Sequence, residues 1–245
     1  IFRLAGRDDA QGAFAGRHLA QRFPGRRIAV ISDRTAYARS IVDRARAALI
    51  ASGNPDVAML TIVAGEKDYG ALVARIRDWQ CAAVLFAGFP VEAASIVRQM
   101  RAAGLTVPFI GTDAVATEEF AAAAGDFADG VQALVPSGSA AGAPSQPSPG
   151  SGQAGPAPAP KAAALRARAA VELWAAAATE AGSAAPEAVA AALSKAPHAS
   201  ALGAIAFDAR GDASVASYTV LTRRGDQWIA ASSPSKGEDG TPPAW

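Results

Sequence analysis

The chain has 245 residues, 51% of them apolar, with 23 basic and 22 acidic side chains and a formal net charge of +1. That length suits one large α/β domain or two modest lobes, and the apolar share, although inflated by alanine, allows a real core. The balanced charge excludes a strong electrostatic footprint for nucleic acid, the lone Cys81 excludes an internal disulfide or a cysteine-based metal site, and no apolar run reaches the roughly 18 residues of a membrane-spanning helix.

The chain opens on Ile1-Phe2-Arg3-Leu4, which reads as the interior of a domain, and no signal peptide is visible. Residues 7–23, "RDDAQGAFAGRHLAQRF", set Phe14, His18, Leu19 and Phe23 near one face at helical spacing, with Asp8 or Asp9 as cap. "RRIAVISD" (26–33) is an apolar run ending in polar residues, a buried strand. A helix over 36–53 stops at Gly53, "VAMLTIV" (57–63) is a strand, and Asp68 caps a helix over 69–79. "AAVLFAG" (82–88) is a strand holding Cys81, an inert buried thiol, at its edge. A helix over 91–104, a short strand at 107–111, a short helix at 117–125 and a strand at 130–136 follow.

Strands alternating with helices of this length predict an α/β fold, a doubly wound, mostly parallel sheet with helices on both faces. Ligands of such sheets sit outside the carboxyl ends of the strands. The stretches of interest are therefore Asp33 to Tyr37, Ala64 to Asp68, Gly88 to Glu92 and Gly111 to Thr117.

Composition changes after Pro136. Residues 137–160 are nearly all Ser, Gly, Ala and Pro, too poor in apolar surface to order themselves, and read as a flexible linker. Helices are expected over 161–182 and 186–196, the second with Pro186 in its first turn. Residues 203–212 read as a strand leading into a turn at Asp208 to Asp212, residues 216–231 as a hairpin turning at Arg223 to Asp226, and 232–245 as a frayed tail.

Several phrases in order resemble one family: "GRDDAQG" (6–12), "RIAVISDRTAY" (27–37), "AGEKDY" (64–69), "AGFPVEAASIVRQMRAAGL" (87–105), "PFIGTDAV" (108–115) and "GAIAFDARGD" (203–212). Their order resembles the periplasmic leucine/isoleucine/valine-binding proteins of ABC importers, over roughly residues 1–136 and 180–231. The resemblance implies a type I periplasmic binding fold, with two α/β lobes joined by crossovers and a ligand cleft between them. It implies a periplasmic location, a branched-chain amino acid or related small amphipathic solute as ligand, an ABC transporter permease as membrane partner, and no cofactor, metal or covalent chemistry.

Three site residues are implied by position. Tyr37 in "DRTAY" matches a tyrosine lying against the ligand. Phe89 in "AGF" matches a position usually occupied by tyrosine. Asp113 in "GTD" matches an acidic residue that receives the ligand's α-ammonium. The chemistry is sensible: a cation leaving water needs a carboxylate, and an aliphatic side chain wants apolar or aromatic walls.

The departures are specific. Phe89 has no hydroxyl, Asp113 is often glutamate in the family, and Arg39 in "YARS" is placed to crowd the cleft. The family's first lobe, which supplies hydroxyls and amides for the ligand carboxylate, has no counterpart here. The expected division is a lobe at 1–136, the linker at 137–160, a helical remnant of the other lobe at 161–202, and crossover and closing strands at 203–231. Hinges are expected near 1–6, 136–160 and 200–205. The alternative is a degenerate one-lobe relative acting as a scaffold, pairing with a second copy or a partner through Leu165, Leu173 and Trp174.

Other features read as structural. Glu66 to Asp68 form a solvated turn, Glu92 and Arg98 are exposed helix charges, and Trp79, Trp174 and Trp228 are packing residues. His18 and His198 have no ligand set at metal spacing. Nucleophile-elbow, dinucleotide and phosphate-loop motifs are absent, which argues against an enzyme. A sensor domain, a further use of the same two-lobed fold, would need a DNA-reading partner domain.

Overall fold

A computed structural model describes residues 1–136, 162–214 and 218–230. The linker expected at 137–160, the hinge within it and the tail from 232 lie outside the described residues. The elements in order are α1 (Asp8–Arg22), β1 (Ile28–Ser32), α2 (Ala36–Ala51), β2 (Val57–Thr61), α3 (Gly70–Asp78), β3 (Ala83–Ala87), α4 (Pro90–Ala102), β4 (Phe109–Gly111), α5 (Glu118–Ala124), β5 (Gln132–Pro136), α6 (Ala162–Ala181), α7 (Pro186–Leu193), β6 (His198–Ser200), β7 (Gly203–Ile205), β8 (Tyr218–Arg224) and β9 (Gln227–Ala230).

Seven strands form the main sheet in the order β2-β1-β3-β4-β5-β8-β9. The first five are parallel, and β8 and β9 close one side antiparallel. β1 and β3 are buried at every position, as central parallel strands covered on both faces must be. Their side chains alternate between two cores. Ala29, Ile31, Val84 and Phe86 enter one with residues of α3, α4 and α5, where Phe86 stacks on Phe109 at 5.8 Å. Ile28, Val30, Ala83 and Leu85 enter the other beneath α1 and α2.

α1 and α2 touch through small residues. A Cβ on Gly12 would lie 2.2 Å from the Ile41 carbonyl oxygen, and one on Gly16 2.3 Å from that of Ala45. The buried strip of α1 is Gln11, Gly12, Ala15, Gly16, Leu19 and Ala20; Leu19 of the expected face lies in it, Phe14 and Phe23 pack half-buried against the same core, and His18 stacks beside Phe14. The expected cap is corrected: Arg7 is the N-cap by position without a side-chain bond, and Asp8 and Asp9 are first-turn acids. Asp68 accepts from the Gly70 amide at 2.8 Å just ahead of α3, but the N-cap position itself is held by Tyr69, whose side chain makes no capping bond.

A smaller core joins α6, α7 and the β6–β7 hairpin. Leu173, Ala177, Val189, Leu193 and Ile205 fill it, with Phe2, Leu4 and Phe207 against them. Residues 1–5 are thus anchored: the Arg3 amide donates to the Gly211 carbonyl at 2.7 Å, and Arg3 and Arg7 both reach Asp212, at 2.8 and 3.4 Å. The face expected on α6 does not form. Leu173 is buried, whereas Trp174 and Val171 are 50% and 68% exposed. Trp79 is also partly exposed, and Trp228 alone of the three tryptophans is buried, tilted against Phe120.

Glu92, read as a plain surface charge, accepts from the Gly65 amide at 3.0 Å. Gln99 accepts from the Tyr69 amide at 2.7 Å and donates to the Lys67 carbonyl at 2.8 Å, so α4 holds the loop between β2 and α3. Among the described residues no helix is long and apolar enough to cross a membrane.

Candidate functional site

The strand order runs outward from β1 in both directions, so the crevice lies at the carboxyl ends of β1 and β3. α2 leaves β1 over one face and α4 leaves β3 over the other. Three side chains meet there. Tyr37 is in the first turn of α2, Phe89 is the N-cap residue of α4, and Asp113 opens a 3-10 turn after β4. The Tyr37 and Phe89 rings lie 6.3 Å apart at 29°, and the Tyr37 hydroxyl donates to Asp113 Oδ1 at 3.4 Å. Phe89 is 48% exposed, presenting its ring rather than packing it beneath α4.

The start of α2 fixes Tyr37. Thr35 caps the helix, its Oγ1 accepting from the Ala38 amide at 3.1 Å. The same hydroxyl donates to Asp33 Oδ1 at 2.7 Å, and the Thr35 amide donates to that oxygen at 3.0 Å. Asp33 is buried and its Oδ2 has no hydrogen-bond partner among the described residues. Thr35→Ala is expected to cost about 1–2 kcal/mol, since it removes a cap and loosens a buried carboxylate. The shift in urea midpoint at constant slope measures this.

Gln11 is the residue that sequence reasoning missed. It is 2% exposed, and its Nε2 donates to Asp113 Oδ1 at 2.9 Å and to the Leu134 carbonyl at 2.8 Å. Oδ1 is thereby held by two donors, and Oδ2 of this exposed residue is left open among the described residues. Asp8, one turn earlier on α1, is exposed. Burial, then the charges of Asp113 and Asp9, push its carboxyl above the usual carboxylate range. Burial and Asp113 likewise raise the Tyr37 phenol, so it stays a neutral donor. The Tyr218 phenol, donating to the Arg7 carbonyl at 2.8 Å, is pushed up to about 12 by burial and then by Asp113 and Asp8. The signal for Gln11 was its place beside Gly12, Ala15 and Gly16, as the one polar side chain of the buried strip of α1.

Arg39, expected to crowd the cleft, is exposed on α2 and makes no side-chain hydrogen bond or ion pair among the described residues. Cys81 is buried, and burial raises its thiol above the ordinary range.

Comparison with known proteins fits this architecture. The periplasmic binding protein family model matches residues 1–225. An amino acid binding protein of Pseudomonas aeruginosa is 41% identical over 125 residues, which is 51% of this chain and 33% of the relative. A Leu/Ile/Val-binding protein homolog 1 of Brucella abortus is 34% identical over 223 residues, which is 89% of this chain and 59% of the relative. The leucine-binding protein LivK of Thermotoga maritima has the same fold, with a TM-score of 0.77 at 20% identity, over 95% of this chain and 67% of that one. The chain spans less than two thirds of the length of these curated relatives. The family match over most of the sequence and the shared sheet architecture together show that this chain belongs to the periplasmic binding protein family.

Proposed function

We propose that this chain supplies one wall of a site that captures a small amino-acid-like solute for an ABC importer in the periplasm. The observation that carries the reading is the meeting of Tyr37, Phe89 and Asp113. They come from three separate strand ends, and one Asp113 oxygen is anchored while the other is open. The open oxygen is suited to a ligand ammonium, because a desolvated cation needs a carboxylate held in place by other donors. The two rings offer an apolar wall to the ligand's side chain. The neutral Tyr37 hydroxyl adds a donor without adding charge. Capture followed by hinged closure requires no covalent step.

A thermal-shift panel of the twenty amino acids, short amides and aromatic acids tests this on the wild-type chain and on Asp113→Asn. Ligand at about 100 times its Kd should stabilise the wild type by roughly 2.7 kcal/mol, several degrees in Tm, and Asp113→Asn should abolish the shift. A flat panel from a cooperatively melting wild type would count against the proposal.

A further inference from the structure

The carboxylate at this wall owes its aim to a side chain buried behind it. Resting on the reading above, we infer that Gln11 is a positioning residue for the ligand's ammonium. It touches no ligand itself. It decides which Asp113 oxygen faces the crevice, and so sets how sharply the site tells an amino acid from the same molecule without its amine.

Asp113 is poorly fixed by its own segment. It is an exposed residue opening a three-residue 3-10 turn, Asp113–Val115, directly after a three-residue strand, and Thr112, at the N-cap of that turn, makes no side-chain capping bond. The Tyr37 hydroxyl reaches Oδ1 only over a long 3.4 Å. The short bond comes from Gln11, whose Nε2 donates to Oδ1 at 2.9 Å and to the Leu134 carbonyl at 2.8 Å. Two acceptors facing one nitrogen fix the amide's orientation, because a flipped amide would turn its own oxygen toward both. The side chain is itself immobile, 2% exposed in the strip of α1 that packs on α2.

A purely structural glutamine is the plain alternative. β4 ends at Gly111, opposite Ala133, so Leu134 stands one residue past the end of β4 and Gln11 caps its carbonyl. That task uses one Nε2 hydrogen. The other goes to the carboxylate, and no strand pairing depends on it. An amide buried beside Gly12, Ala15 and Gly16 is costly unless its hydrogens find acceptors, whereas a methionine would fill the same space without that cost. The amide is therefore explained by Asp113 as much as by β5.

The consequence is selectivity. With Oδ1 pinned, Asp113 is kept from swinging into solvent and Oδ2 stays turned to the crevice. A ligand without an ammonium then covers a carboxylate that it cannot pair, which a site built around a donor penalises far more than a missing methylene. Released from Gln11, Asp113 could turn out to water as such a ligand arrives, and the penalty would go.

Isothermal titration of the whole chain tests this by comparing leucine with 4-methylpentanoate, and phenylalanine with 3-phenylpropanoate, on wild type and on Gln11→Met. Each amino acid should bind wild type more tightly than its amine-free counterpart. In Gln11→Met that ratio should fall about tenfold or more, the amino acids weakening while the amine-free acids hold within about twofold. Both members of a pair weakening alike would make Gln11 structural and overturn the inference while the wider proposal stands. A second measurement needs no analogue, and decides alone should Gln11→Met not fold. In a proton–nitrogen NMR spectrum of wild type, the Gln11 Nε2 resonances should shift on saturation with the tightest-binding of the twenty amino acids; saturation that leaves them in place also overturns the inference. If no amino acid binds wild type, the wider proposal falls and this inference with it.

Discussion

Gly16→Val is expected to destabilise the fold by about 3 kcal/mol, and Gly16→Ala by about 1–3 kcal/mol. Helix propensity argues the opposite way, since alanine in a helix interior is favoured over glycine by roughly 1 kcal/mol. Packing decides the sign. A Cβ at Gly16 would stand 2.3 Å from the Ala45 carbonyl oxygen and 2.7 Å from the Ala48 Cβ. The first contact is backbone, so no side-chain rotation relieves it. α2 would have to move off α1, and α2 also covers Ile28, Val30 and Leu85 of the sheet. Urea unfolding measures the loss. Arg17→Ala, exposed on the same helix, is the control and should stay within about 0.5 kcal/mol. Gly16→Ala unfolding at the wild-type midpoint would show that the two helices can separate freely.

Acid should weaken the protein through His18. Its ring stacks on Phe14 at 6.1 Å, and its Nε2 is buried with no hydrogen-bond partner among the described residues. Burial, then the nearby charge of Arg22, lowers its pKa from 6.5 to about 4. The unfolded chain therefore binds this proton more readily than the folded one. Stability is unaffected by His18 above about pH 6.5 and is lost progressively as pH falls from there to about 4. The full loss is on the order of 2–3 kcal/mol. His18→Phe keeps the stacked ring and removes the proton. The difference in unfolding free energy between wild type and His18→Phe should widen by that amount between pH 7 and pH 4, and carboxylates common to both chains cancel. A constant difference across this range would mean that His18 stays accessible to protonation in the folded state.

Much of the sheet was legible because β1 and β3 are unbroken apolar runs closed by Asp33 and Gly88, and fully buried parallel strands need nothing else. Their ends then pointed to the crevice where Tyr37, Phe89 and Asp113 meet. The face of α1 was legible only in part. Phe14, Leu19 and Phe23 do stand on its core side, but its closest contact with α2 is made by Gly12 and Gly16, whose small size lets two helices touch and which an eye for large apolar residues passes over. Gln11 was hidden by the same habit: a buried polar side chain looks like a surface residue until its acceptors, Asp113 and the Leu134 carbonyl, are seen. Glu92 took the same disguise, because its partner is a backbone amide of a distant loop. β7 lies at the start of the strand read at 203–212, but its partner β6 escaped notice because a three-residue strand carries no periodicity. On α6, alanine on every side blurred the stripe, and Leu173 and Trp174 were assigned to one face although adjacent residues on a helix point apart.

β5 pairs with β8 through Pro136 and Tyr218, so the chain leaves the sheet and returns only after α6, α7 and the hairpin. β1 to β4, by contrast, pair through neighbouring crossovers. Closing the longer excursion carries a larger entropic cost before any contact repays it. Refolding should therefore proceed in two stages: the β2-β1-β3-β4 unit with α1 to α4 assembles early, and the β8–β9 hairpin docks last. Until it docks, β5 is a bare edge beside Leu134 and Val135, which makes the late intermediate the species most prone to pair with another chain.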